Sequence, residues 1–184
     1  DGQAGCDRAE FRGNSQNNLF TVTTDSAGRL LVLETPHAIT ISTATERLDV
    51  LAGPGRDTLR AVGLAGAPLV EINLMGEAAG DTIDASQAGI HGTGLSLRGG
   101  NGGDRIIGSD GNETLDGGTG DDTLTAGDGN DVVRGGDGSD QLKGGNGSDW
   151  LDGQDGDDRI EGGGGDDQLL GGPGHDTLMG GADH

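Results

Sequence analysis

A carboxylate recurs at every ninth position through the second half of this 184-residue chain. From Gly99 to Met179 the sequence divides into nine consecutive nonapeptides without an insertion or deletion. The sixth position of each nonapeptide is acidic: Asp104, Glu113, Asp122, Asp131, Asp140, Asp149, Asp158, Asp167 and Asp176. Carboxylates are ligands for hard cations such as calcium. So regular a series predicts a row of metal sites rather than a single catalytic pair.

Two further columns accompany the acids and define the elements that must position them. Positions 1, 2 and 4 are mostly glycine, which suits tight turns because it reaches positive φ angles. Position 8 is always aliphatic: Ile106, Leu115, Leu124, Val133, Leu142, Leu151, Ile160, Leu169 and Leu178. The residue at this position points inward from a short extended segment. Two nonapeptides therefore predict one coil of about 18 residues, and successive coils stack as parallel strands.

Residues 99–179 resemble the RTX (repeats in toxin) family, whose calcium-binding nonapeptide has the form GGxGxDxUx. The resemblance implies a right-handed parallel β-roll in a secreted bacterial protein, with calcium held between turns that lie one coil apart. It also implies that the position-6 carboxylates and the turn carbonyls are the ligands. The departures are few: Glu113 replaces aspartate, Ser109 and Gln154 replace the second glycine, and Ala126 replaces the first.

The charge of the chain agrees with a cation partner. Residues 1–98 carry a net charge of −5 and residues 99–184 a net charge of −16, which together give −21. Bridging alternate turns on the two edges predicts about seven calcium ions or more, and about 14 positive charges would nearly cancel those of the repeats. Nucleic acid is excluded as a partner because it requires basic patches. No hydrophobic run is long enough to span a membrane.

Two alternatives concern the repeats. A stretch rich in glycine and aspartate also suits a disordered linker, but the strict register and the aliphatic column favour a solenoid that folds when it binds calcium. Magnesium requires a tight octahedron of ligands. Zinc prefers histidine and cysteine ligands, which are absent from position 6.

Residues 1–98 follow the repeat less closely. The segment 52–60 places Asp57 in the acid column, 13–21 places Asn18 there, and 2–10 places Asp7 there with Ala9 in the aliphatic column. Asp57 and Asp81 are candidate further metal ligands, with turn capping as the equal alternative. Short β-rich runs at 19–24, 29–34, 38–42, 48–52, 69–74 and 95–98 connect these turns.

We therefore predict an all-β fold, a right-handed parallel β-roll or β-helix solenoid. Residues 99–184 form the calcium β-roll with two nonapeptides per coil. Residues 1–98 form a degenerate solenoid that is continuous with it. Its coils are longer, since Asp57, Asp81 and Asp104 are 24 and 23 residues apart.

No catalytic constellation accompanies these features. The sequence has neither a GxSxG nor an HExxH motif, and the protein is predicted not to be an enzyme. Cys6 is the sole cysteine, so a disulfide within the chain is excluded and a cross-link to a second copy stays open.

Two functions are consistent with these features. The first is a secreted, extracellular structural protein of a cell surface or matrix, which self-assembles head-to-tail into a fibre. Calcium between Asp167 or Asp176 of one copy and Asp7 or Asn18 of the next would hold the joint, with Leu170 and Met179 in apolar contact. The alternative is a calcium-folding module, for secretion or presentation, of a larger secreted enzyme, toxin or adhesin.

Overall fold

The computed structural model describes residues 8–14, 18–24, 30–34, 37–40, 47–64, 71–89 and 94–182, and every regular element in these ranges is a β-strand. The eight-stranded sheet contains, in spatial order, β1 (Arg8–Arg12), β5 (Arg47–Pro54), β7 (Glu71–Ala78), β9 (Gly94–Asn101), β11 (Glu113–Thr119), β13 (Val132–Asp137), β15 (Trp150–Asp155) and β17 (Gln168–Leu170). The ten-stranded sheet contains β4 (His37–Thr40), β3 (Leu30–Glu34), β2 (Leu19–Thr24), β6 (Thr58–Val62), β8 (Thr82–Gln87), β10 (Arg105–Ile107), β12 (Thr123–Asp128), β14 (Gln141–Asn146), β16 (Arg159–Gly164) and β18 (Thr177–Ala182). Within the described residues there is no helix that could cross a membrane.

Neighbouring strands of each sheet lie one coil apart in the chain and pair in parallel. Leu124 pairs with Leu142, and equivalent turns in this half are 18 residues apart. In the first half Ile72 pairs with Leu48 and with Leu95, at spacings of 24 and 23 residues. The solenoid is confirmed, as are its short coils in the second half and its longer coils in the first.

A single apolar core lies between the two sheets. Seven of the nine position-8 aliphatics, from Ile106 to Ile160, are buried within it. In the first half β7 contributes Ile72 and Leu74 to this core, and β9 contributes Leu95 and Leu97. These strands consequently bury more apolar area per coil than the calcium-type repeats do.

The ten-stranded sheet departs from parallel stacking at one end. Strand β2 pairs in parallel with β6, but β3 is antiparallel to β2, and β4 is antiparallel to β3. A parallel crossover needs a dozen or more residues. The connections between these strands are shorter, so the chain turns back on itself.

The register of β1 corrects one sequence expectation. Ala9 pairs with Leu48, and the pairing continues from strand to strand through Ile72 and Leu95 to Glu113. By the same pairings, Phe11 is in register with Leu115. Ala9 is therefore at the acid level, whereas the sequence placed it in the aliphatic column and Asp7 in the acid column. Asp7 and Cys6 lie outside the described residues. A two-residue slip keeps the same residues on each face of a strand, so alternation alone does not distinguish the two registers.

Candidate metal sites

All eleven acids predicted as metal ligands fall into two columns along the solenoid. The long column precedes the strands of the ten-stranded sheet and consists of Asn18, Asp57, Asp81, Asp104, Asp122, Asp140, Asp158 and Asp176. The short column belongs to the eight-stranded sheet and consists of Glu113, Asp131, Asp149 and Asp167. Each column thus presents one acid or amide per coil.

A hydrogen-bond ladder fixes one oxygen of each aspartate that follows the first member of a column. The backbone N–H of Asp104 donates to Oδ1 of Asp122 at 2.7 Å, and the N–H of Asp122 donates to Oδ1 of Asp140 at 2.8 Å. The pattern extends into the first half, where the N–H of Asp57 donates to Oδ1 of Asp81 at 2.7 Å. Each of these carboxylates therefore ties its own coil to the preceding one.

The other oxygen has no donor. Nine Oδ2 atoms are buried without a hydrogen-bond partner, those of Asp57, Asp81, Asp104, Asp122, Asp131, Asp140, Asp149, Asp158 and Asp167. A buried acceptor without a partner costs about 1–3 kcal/mol, and more when it is charged. Nine such atoms would cost as much as the entire stability of a typical domain, about 5–15 kcal/mol. They therefore require either protonation or a positively charged partner.

The space beside seven of these nine Oδ2 atoms is bordered by a carbonyl oxygen as a second acceptor. A methyl group on Gly135 would overlap Oδ2 of Asp140 and would lie 2.7 Å from the carbonyl oxygen of Gly153, one coil further on. Gly99 has the same surroundings, with Oδ2 of Asp104 and the carbonyl oxygen of Gly117. A carboxylate of one coil and a carbonyl of the next thus converge, which is an arrangement suited to a cation.

Burial makes these carboxylates hard to ionise in the absence of a cation. It raises the pKa of Asp81, Asp122 and Asp131 to about 7, and that of Asp104 and Asp140 to about 6. The pKa values of Asp149 and Asp158 are raised for the same reason. Charge repulsion between acids of adjacent coils, such as Asp122 and Asp140, adds to the effect of burial. A cation would relieve both penalties.

The donor set identifies the kind of cation. Within the described residues there is no group of three or more His, Cys, Asp or Glu side chains that could hold a metal ion. A site in these columns must therefore combine carboxylate with backbone carbonyl oxygens. Calcium accepts about 6–8 such oxygens in a flexible geometry, whereas zinc prefers nitrogen and sulfur.

A family model described as the RTX calcium-binding nonapeptide repeat (4 copies) matches residues 96–124, 107–142 and 143–178. Repeats of the RTX type are therefore detected in this segment, and the resemblance inferred from its motif is confirmed. The match supports a calcium-binding role for these residues. No curated protein and no solved structure matched the chain in the corresponding comparisons.

The long column continues beyond the RTX segment. Asp57 and Asp81 are 2 % exposed, and each has the same unpartnered Oδ2 atom as the repeat aspartates. Their irregular sequence spacing conceals this equivalence. The short column ends at Glu113. In the preceding coils, the residues in register with Glu113 are leucine or isoleucine: Leu95, Ile72 and Leu48. Among the described residues of the first half, the acid column therefore continues along one edge only.

Glu113 differs from the RTX aspartates. Ser109 donates to both of its oxygens, from Oγ at 2.6 Å and from its backbone N–H at 3.0 Å. Burial still raises the pKa of Glu113. Its carboxylate is nevertheless already satisfied within its own turn, and the two departures from the RTX pattern at 109 and 113 therefore act together.

Proposed function

We propose that the protein is a non-enzymatic, extracellular structural protein whose solenoid folds around calcium. The observation that carries this proposal is the set of nine buried, unpartnered Oδ2 atoms in two columns. Because seven of these atoms lie beside a carbonyl oxygen of the next coil and the segment 99–184 has a net charge of −16, bound cations would stabilise the folded chain. RTX repeats bind calcium, which is plentiful outside cells.

The proposed ligands are the nine aspartates with these atoms, joined at the open end by Asp176. Each ion would contact the carboxylate of one coil and carbonyl oxygens of the next, which gives about nine sites. The number exceeds the seven expected from the repeats because Asp57 and Asp81 belong to the long column. The set leaves out Glu113, whose oxygens accept hydrogen bonds from Ser109.

Metal binding in such a protein is part of its folding. The ligands come together only when coils stack, so the free energy of binding contributes to the free energy of folding. Without calcium, the columns bring like charges together in a buried setting. Residues 99–184 are consequently expected to fold over a narrow range of calcium concentration rather than one coil at a time.

Circular dichroism and calorimetric titration with calcium test the proposal. The expected result is a coil-like spectrum of residues 99–184 in chelator, a strand spectrum in millimolar calcium, and a stoichiometry near nine for the full chain. Magnesium at equal concentration is the control and should restore little strand. Full strand content in chelator, or an absence of heat on calcium addition, would refute calcium-dependent folding.

Head-to-tail assembly is the second candidate and is favoured by the exposed C-terminal edge of the solenoid. Leu170 is 46 % exposed there and Leu178 is 43 % exposed, and β17 and β18 are the edge strands of their sheets. Such edges accept further strands. At the other end, β2 is flanked on both sides by β3 and β6, so β1 is the parallel edge strand among the described residues. A joint would therefore stack β17 of one copy on β1 of the next.

Electron microscopy and light scattering in calcium distinguish assembly from the alternative, a module that remains single within a larger secreted protein. Filaments that disappear on chelation would support assembly. The variant Leu170→Glu places a charge on the exposed edge and should abolish them, whereas Gln87→Glu, at an exposed position away from that edge, should not. Monomers at all concentrations would exclude self-assembly.

A further inference from the structure

The first member of the long column is an amide rather than a carboxylate. Asn18 is 8 % exposed and enters the ladder in the usual way, because its backbone N–H donates to Oδ1 of Asp57 at 2.5 Å. Its side-chain nitrogen has three acceptors: the carbonyl oxygens of Asn14 and Ala52, each at 3.2 Å, and Oδ1 of Asp57 at 3.1 Å. Since all three neighbours are acceptors, the amide must direct its nitrogen toward them.

This nitrogen takes the place of the unpartnered oxygen of the aspartates. Beside Gly76, Oδ2 of Asp81 and the carbonyl oxygen of Gly99 in the next coil border the same space, with no donor for the carboxylate atom. Beside Gly13, the equivalent positions are held by Nδ2 of Asn18 and the carbonyl oxygen of Ala52. An N–H group thus satisfies the turn carbonyl that a cation would otherwise contact.

The short column begins with a different arrangement that has the same consequence. Both oxygens of Glu113 accept hydrogen bonds from Ser109, and one coil earlier Leu95 occupies the acid level. The first turn of each column is therefore satisfied by groups of the protein. In the subsequent turns from Asp57 and from Asp131, the described structure leaves an Oδ2 atom without a donor.

We propose that Asn18 and the Ser109–Glu113 pair are metal-free ends of the two calcium columns. They determine where calcium binding stops along the solenoid, because they satisfy the polar groups of the first turn of each column without a metal ion. The inference rests on the proposed function, since it assumes that the intervening aspartates bind calcium.

Conversion of each end into the repeat pattern tests the proposal. Asn18→Asp replaces the N–H donor with an acceptor and should raise the calcium stoichiometry by one in calorimetric titration. The double variant Ser109→Gly/Glu113→Asp should also raise it by one. Gln87→Glu is the matched control for Asn18→Asp, because it adds the same charge at an exposed position outside both columns, and its stoichiometry should equal that of the wild type.

A second readout uses the metal-free protein. Hydrogen exchange of residues 47–64 in chelator should quicken in Asn18→Asp and return to the wild-type rate in calcium. The reverse variant, Asp81→Asn, introduces an amide into a calcium turn and should lose one calcium while slowing exchange of residues 71–89 in chelator. This variant decides the matter if Asn18→Asp does not fold.

The outcomes separate this inference from the function on which it rests. A wild-type protein that binds no calcium would refute the proposed function itself. A wild-type protein that binds calcium, with Asn18→Asp folded and unchanged in stoichiometry, would overturn only the metal-free ends. An Asp81→Asn variant that keeps the full stoichiometry would overturn them equally.

Discussion

The backbone N–H of Asp140 donates a hydrogen bond of 2.9 Å to Oδ1 of Asp158, which lies 18 residues further along the chain. Asp140 in turn accepts the N–H of Asp122 on its own Oδ1 atom. Each interior aspartate is thus connected to the coil before it and the coil after it, while its Oδ2 atom is left for a cation. Loss of one such residue should affect two neighbouring coils.

Asp140→Ala should therefore weaken calcium binding and its cooperativity more than Asp176→Ala. The first change removes a buried Oδ2 atom from the middle of the long column, whereas Asp176 is in the last described turn and has no such atom among the nine. Calorimetric titration of both variants measures the difference in stoichiometry and in the steepness of binding. Equal losses would contradict the arrangement of sites between consecutive coils.

The metal-free protein should gain strand structure as the pH falls. Burial raises the pKa values of Asp81, Asp122 and Asp131 to about 7, above the ordinary aspartate value near 4. A raised carboxyl pKa stabilises the folded state below the unfolded value, and this contribution is lost as the pH rises through about 4 to 7. A protonated Oδ2 atom is also able to donate to the facing carbonyl.

Circular dichroism in chelator between pH 4 and pH 8 measures this effect, and strand content should decline as the pH rises. Calcium binding should show the opposite trend, since protons compete with the metal for the same oxygens. A strand signal in chelator that increases with pH would show that the carboxylates are stabilised in the folded protein by something other than metal.

The sequence predicts the second half of the fold closely because each nonapeptide repeats the same three physical requirements. A glycine turn, an acid and an inward aliphatic fix both the coil length and the columns. The first half is less predictable: the alternation around Ala9 permits two registers that differ by two residues, and the solenoid pattern does not predict that β3 turns back after Thr24. The role of Asn18 depends on a carbonyl 34 residues away, which no local pattern reveals.

Gly147→Ala should destabilise the calcium-loaded protein by about 1–3 kcal/mol or more, because its φ of 131° is a strained conformation for other residues. A methyl group there would also overlap the carbonyl oxygen of Gly129 in the preceding coil. Gly164→Ala is the matched control, since its methyl group would come no closer than 3.4 Å to Oδ1 of Asn146. The control should change stability by less than about 1 kcal/mol. Urea unfolding in calcium measures both, and equal effects would contradict the role assigned to the turn.

Two leucines at the same repeat position should contribute differently to stability. Leu151 is fully buried between the sheets, whereas Leu178 is 43 % exposed at the open end. Leu151→Ala should cost about 2–5 kcal/mol, and Leu178→Ala should cost markedly less in a monomer because much of its side chain already contacts water. Urea unfolding in calcium at low and high protein concentration measures both variants.

The dependence of unfolding stability on protein concentration also tests head-to-tail assembly. If a second copy covers the open end, Leu178 becomes buried in the joint, and Leu178→Ala should then lower the stability at high concentration and raise the concentration needed for filaments. Leu151→Ala should lower stability by the same amount at both concentrations, since its contacts lie within one chain. If Leu178→Ala has the same small effect at every concentration while filaments persist, the joint does not involve this end of the solenoid.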